Sequence, residues 1–275
     1  MQLNLHDATY AADQFIDYFS NMGRIDEYLR NVKLDRMSQM PTYLPGCGPE
    51  DDMFDSFDMH PQDMDFKVYA AGEKDSFTNE YYNERLQITT SHSIEDSIPG
   101  KSLKWIVVET NTKKIVGFVR FGSPTINSKP RNEWLGMTPE LSRFNRHSIM
   151  GFIIVPTQPF GFNYLGGKLL AGICCSHLAR RTLSEKYNTD FCMFETTSLY
   201  GSTKQVSQYD GMKPFLRYAG LTLSDFVPAI NDEKYHDLRK WFEDRNKGPL
   251  VDEDASSRKL KTQTKMISII RNSLE

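Results

Sequence analysis

The chain has 275 residues, 39% of them hydrophobic and 25% charged, with 17 Gly and 13 Pro, the balance of a soluble globular protein of one large domain or one plus a smaller one. Lys and Arg number 33 against 36 Asp and Glu, a net charge of −3, so composition alone carries no argument for a nucleic-acid partner. The four cysteines, Cys47, Cys174, Cys175 and Cys192, and the six histidines show no paired ligand spacing, which predicts free thiols of a reducing compartment and no metal. No apolar run approaches the ~18 residues of a membrane span, and the first residues, MQLNLHDATYAADQ, lack the pattern of a signal peptide. The expectation is a cytoplasmic protein with no membrane partner.

In chain order, the first periodic segment spans residues 10–34, where Tyr10, Phe15, Tyr18, Phe19, Met22, Ile25, Tyr28, Leu29 and Val32 recur at helical spacing. One helix, or two broken near Gly23, is predicted. A Pro-, Gly- and Asp-rich stretch follows, and from Glu50 to Asp65 it carries seven carboxylates and no Lys or Arg. It reads as a long irregular acidic loop. LKWIVVET from Leu103 and KIVGFVRFGS after a turn at Thr110, Asn111 and Thr112 form a predicted hairpin. RNEWLG at 131–136 falls in a loop. SIMGFIIVP at 148–156 is bulky and β-branched, as a strand buried on both faces requires.

Leu169, Leu170, Ile173, Cys174, His177, Leu178 and Leu183 then predict a helix over 166–186 with one face in the core, His177 among its buried residues. DFCMFETT from Asp190 returns to strand, 212–219 reads as a short helix closed at Gly220, and GLTLSDFV begins a last strand. DEKYHDLRKWFEDRN is an amphipathic helix stopped at Gly248-Pro249. In the terminal segment Leu260, Ile267, Ile270 and Leu274 form an apolar stripe beside Arg258, Lys259, Lys261 and Lys265. The alternation of strands and helices predicts an α/β sheet over 101–230, with an N-terminal helical extension at 1–100 and a C-terminal one at 231–275.

Chemistry concentrates in the segment from Val155 to Lys168, where a strand feeds a glycine-bearing loop and then a helix. That arrangement can hold a phosphate, because glycine admits close backbone approach and a helix N-terminus supplies amides. Gln158, Gly161, Asn163, Gly166 and Gly167 are its candidates, and packing alone is the competing explanation of the glycines. The loop is neither GxGxxG nor a P-loop.

The order of elements together with Gln158-Pro-Phe-Gly161-Phe-Asn163 resembles the GNAT acyltransferase superfamily, whose Q/R-x-x-G-x-G/A loop cradles the pyrophosphate of acyl-coenzyme A. Asn163 departs from that pattern. GFVRFGSP at 117–124, RNEWLG, FIIVP followed by NYLGGKLL, ETTSLYG at 195–201 and SQYDGMKPFLRYAGLT at 207–222 resemble the Druantia DruA-like family and, more distantly, the phage Mom-like DNA-modification proteins. The resemblance covers about 120 residues and implies a GNAT-like mixed sheet, an acyl-CoA or related donor held along 155–168, and an anti-phage or phage setting. It further implies transfer of an acyl or aminoacyl group to a nucleobase in DNA, adenine first among them.

On that reading Glu195 is the base, against an exposed strand-end carboxylate or a cap for the next segment, and Tyr209 the acid, with Tyr200 the neighbouring alternative and a half-buried aromatic the competing explanation of either. Ser207 and Asp210 position the acceptor, although turn chemistry explains both. Arg131 and Trp134 suit phosphate and base stacking, against a plain ion pair and a core tryptophan. Arg258, Lys259, Lys261 and Lys265 offer further phosphate contacts, against a solvated helix face. Two other functions remain open: an acetyl-CoA-dependent N-acetyltransferase of a protein or small amine, and a non-catalytic DNA-binding or defence-interaction protein on the same scaffold.

Overall fold

Strands whose side chains are apolar on both sides need cover on both faces, and the computed structural model of the chain supplies it within one of its two compact units. It describes residues 1–20, 52–56, 58–90, 100–125, 127–198, 208–222, 230–253 and 258–275, with single residues 27, 30, 31, 34, 35, 38 and 255. One unit comprises Lys33–Asp225, the other Met1–Val32 with Phe226–Glu275.

The larger unit is a five-stranded mixed sheet flanked by helices. Its strands β1 (Phe66–Ala70), β2 (Ser102–Glu109), β3 (Lys114–Gly122), β4 (Ser148–Pro156) and β5 (Met193–Thr196) lie in sequence order. β1 to β4 are antiparallel and β5 runs parallel to β4. Trp105 and Phe121 lie on one face with Leu170 and Cys174 of helix α6 (Gly166–Cys174) and Leu183 of α7 (His177–Tyr187). Ile106, Phe118 and Ile153 lie on the other with Tyr82 and Leu86 of α2 (Asn79–Thr89). α1 (Leu5–Ser20), α8 (Asp232–Asn246) and α9 (Arg258–Leu274) make up the second unit. Ala11, Phe15, Leu238, Phe242, Met266 and Ile269 form its core, and the Arg245 guanidinium reaches both Asp7 oxygens at 3.2 Å.

The predicted hairpin, the strand at 148–156 and the helix at 232–246 stand where the sequence places them. Five expectations are corrected. β1 and α2 belong to the sheet unit, although the sequence assigns residues 1–100 to a helical extension; the alternating Phe66, Val68 and Ala70 are too short a pattern to stand out. RNEWLG is not a loop but most of α3 (Lys129–Leu135), started by Pro130 and ended by left-handed Gly136. It is followed by α4 (Leu141–His147).

The helix over 166–186 is two helices, because Ser176 caps the second through Ala179 N–H and donates to the Ile173 carbonyl. The break leaves His177 and Leu178 exposed, while Ala179 and Leu183 are buried. Residues 212–219 form a turn and an extended run instead of a helix. Pro214 disfavours helical backbone at Lys213, and the five residues that remain are too few to offset nucleation. The buried face of α9 is Thr262, Gln263, Met266, Ile269 and Ile270, with Leu260 and Leu274 exposed. The predicted break near Gly23 and most of the strand from 220 lie outside the described residues.

The β2–β3 turn rests on Glu109, which is buried and accepts from the amides of Asp65, Asn111 and Thr112, the Thr112 hydroxyl and the Asn111 side chain. Burial pushes its carboxyl up, but these hydrogen bonds outweigh burial and hold it below the usual range. A depressed folded value stabilises above the unfolded value of about 4.3 and loses that contribution as pH falls through the folded one. Glu109→Gln should cost about 1–3 kcal/mol at neutral pH, measured by denaturant unfolding, and the gap to wild type should close as the pH is lowered below about 4.

Candidate functional site

The site is built where β4 and β5 part. Ser148, Ile149, Met150 and Gly151 pair with Met193, Phe194, Glu195 and Thr196, and there β5 ends while β4 runs on to Pro156. Arg120 faces Ile153 and Phe121 faces Gly151, so Phe152 is the extra residue of a β-bulge and stands 44% exposed. A bulge bends its strand. Beyond Gly151 the β5 side of β4 has no strand partner among the described residues.

Tyr209 is placed at the end of β5. Its phenol hydrogen-bonds with Gln208 and Thr196, and burial pushes it up to about 12, against those two bonds and with the Cys174 thiol adding to the rise. The Thr196 hydroxyl donates to the Gly151 carbonyl at 2.9 Å, and Ser198 Oγ donates to Gln208 Oε1 at 2.9 Å. The Lys168 ammonium donates to the Asp210 carbonyl at 2.6 Å, leaving the Asp210 side chain exposed. The turn that carries Tyr209 is thereby tied to both β5 and α6.

Glu195 and Arg131, far apart in sequence, form a buried ion pair, with side chains 13% and 5% exposed. Arg131 Nη1 lies 3.4 and 3.3 Å from the two Glu195 oxygens and 2.6 Å from the Thr125 carbonyl, while Thr125 N–H donates to Glu195 Oε1 at 2.8 Å. The guanidinium also covers the Phe144 ring at 4.2 Å. These contacts hold α3, α4 and the segment after β3 against the end of β5. Trp134, one turn beyond Pro130 on α3, is 49% exposed and is no core residue.

The loop from Gln158 to Gly167 contains a one-turn helix, α5 (Phe160–Asn163). Gly161 N–H donates to the Thr157 carbonyl, Phe162 N–H to Gln158 Oε1 and Tyr164 N–H to the Phe160 carbonyl. A Cβ on Gly161 would lie 2.6 Å from Pro156 Cγ, and one on Gly166 2.5 Å from Phe160 Cδ1. Both glycines therefore serve close packing. Phe54, in the acidic segment, is buried edge-on against Phe160 and Tyr164, and the Tyr164 hydroxyl donates to the Met59 carbonyl. The amides of Gly161, Phe162 and Tyr164 are thus engaged within the loop, and part of the acidic segment packs on it.

Val155 is half-buried in β4 opposite Phe118, Gly167 is the second residue of α6, and the Asn163 side chain is outside the described set, as are Tyr200 and Ser207. In the other unit, Lys259 pairs with Asp232 at 2.8 Å and Arg258 lies 3.7 Å from Glu253, whereas Lys261 and Lys265 are exposed. Sequence reasoning missed the Thr196 and Lys168 contacts that seat the Tyr209 turn, since nothing in their spacing announces partners 13 and 42 residues away. Among the described residues no group of three or more His, Cys, Asp or Glu is placed to hold a metal, and no helix is long and apolar enough to cross a membrane.

Fold and site thus define a mixed α/β protein whose last two strands are parallel, with β5 ending beside a half-buried tyrosine. The family model described as Druantia protein DruA matches residues 58–210, more than half of the chain, from before β1 to the Tyr209 turn. The chain belongs to the DruA family, which places it in a phage-defence context. No curated protein and no solved structure matches it.

Removing one partner of the Arg131–Glu195 pair strands a buried charge. Arg131→Met should destabilise the sheet unit by about 3–5 kcal/mol, read by chemical denaturation. Glu195→Gln, which keeps the Thr125 contact, should still strand the guanidinium in part and lower the melting temperature by several degrees.

Proposed function

We propose that the chain is a phage-defence transferase that places an acyl or aminoacyl group on a nucleobase amine in DNA, adenine being the leading target. The observation that carries the reading is the parting of parallel β4 and β5 with Tyr209 at the fork. The order β1, α2, β2, β3, β4, α6, β5, with β4 and β5 parallel and a bulge in β4, supports the GNAT-like sheet that the sequence resemblance implies. The fork exposes one edge of β4, whose backbone is then able to hold an extended donor by strand-type hydrogen bonds.

In this reading Tyr209 keeps its proton throughout the physiological range, as an acid for a leaving group must, and hands it over as the bond to the transferred group breaks. The amine nitrogen bonds to the donor's carbonyl carbon as the bond from that carbon to the leaving group breaks, and the proton the amine loses passes by way of Asp210, exposed beside the phenol, to solvent, from which Tyr209 is reprotonated. Glu195 is a positioning residue here and not the base, because Thr125 N–H and Arg131 already occupy its oxygens. The target base is presented unstacked, since an exocyclic amine inside the duplex is out of reach. No step is assigned to a pyrophosphate cradle at 158–168.

A second reading is favoured by that same closed loop: a non-catalytic DNA-binding or defence-interaction protein that retains the scaffold. Mass spectrometry of nucleosides separates the two. DNA from cells expressing the protein with its native partners should contain a modified deoxynucleoside that is missing from cells without it, and identical nucleoside profiles would remove the transferase reading.

A further inference from the structure

Between its anchors the segment 208–222 stands out from the sheet unit with an unusual surface. Met212 is held by its N–H to the Tyr209 carbonyl, and its methyl lies 3.9 Å from where a Cβ on Gly172 of α6 would sit. Gly220 rests on α3, where a Cβ would lie 3.0 Å from Pro130 Cβ. Phe215 and Tyr218, between these anchors, are 70% and 57% exposed, and Leu221 is 47% exposed. Lys213 and Arg217 alternate with the aromatics and are also exposed. From Gly211 to Thr222 the sequence GMKPFLRYAGLT contains no carboxylate. Trp134 extends the surface on α3, and Glu133, the nearest acidic residue on that helix, lies 3.8 Å from Lys129.

An apolar docking face for a protein would not need a cation between each pair of rings. Alternating exposed aromatics and cations match a single strand of nucleic acid, whose bases stack on rings while its phosphates meet the charges. A stacked duplex offers no free base faces to such a surface. We propose that Lys213, Phe215, Arg217 and Tyr218 form a binding strip for single-stranded DNA, leading an unpaired base toward Tyr209 at its start. The proposal deepens the transferase reading by naming the form of DNA that the site receives, and it stands or falls separately from the chemistry.

The test is fluorescence anisotropy of the full chain with a labelled 20-mer single strand and with the same sequence as a duplex, across a series of salt concentrations. Wild type should prefer the single strand. The double variant Phe215→Ala, Tyr218→Ala should weaken that binding about tenfold or more at an unchanged melting temperature, since both side chains are exposed. Lys213→Gln with Arg217→Gln should flatten the salt dependence by about 0.7 in log–log slope for each phosphate that the variant no longer neutralises. Equal affinity for duplex, or aromatic variants that bind the single strand like wild type, overturns the strip. Loss of binding in those variants, alongside unmodified nucleosides from wild-type cells, upholds the strip and removes the transferase.

Discussion

β4 pairs antiparallel with β3 along most of its length but parallel with β5 over only four residues, and the site follows from where that second pairing stops. Short β5 ends at Thr196, whose hydroxyl returns to Gly151, so the last shared position is also a fixed post for the Tyr209 turn. The bulge at Phe152 bends the part of β4 that runs on beyond β5. Everything proposed for the chemistry depends on that fork.

The two candidate charged residues at the fork do different work from the one their types suggest. A carboxylate at the end of a strand and an arginine in RNEWLG look like a base and a phosphate ligand until they are seen to meet. Once paired and buried, each satisfies the other, and removing either leaves an uncompensated charge. Tyr209 differs: its phenol is half-buried and held by polar neighbours, and the desolvation it does undergo keeps it protonated at the edge of the sheet. In the loop at 158–168, Pro156, Phe160 and the backbone's own hydrogen bonds fill the space beside Gly161 and Gly166.

Long apolar runs were legible in the sequence because burial on both faces leaves no other choice of residues. The hairpin and the strand at 148–156 rest on that signal, and the helix at 232–246 on its amphipathic spacing. β1 and α2 were not, since a five-residue strand and a helix burying mainly Tyr82 and Leu86 have too few apolar positions to show a period. The one helix read over 166–186 split because Ser176 competes for the backbone, an effect of a single hydroxyl within an otherwise continuous apolar face. Of the site, Tyr209 and Glu195 were identifiable by position in the chain. The pairing of Glu195 with Arg131 was not, because sequence spacing carries no information on contacts sixty residues apart. Nor was the filling of the glycine spaces by Pro156 and Phe160, which only the folded loop reveals.

On the proposed reading the fork gives Tyr209 a chemical role, and the most direct measurement of that role is the plating efficiency of phage on cells that carry Tyr209→Phe with the native partners. Protection should fall to that of cells lacking the protein, with the variant's melting temperature within about 2–4 °C of wild type, the shift expected for about 1 kcal/mol of lost hydrogen bonding. Undiminished protection by Tyr209→Phe would contradict the account.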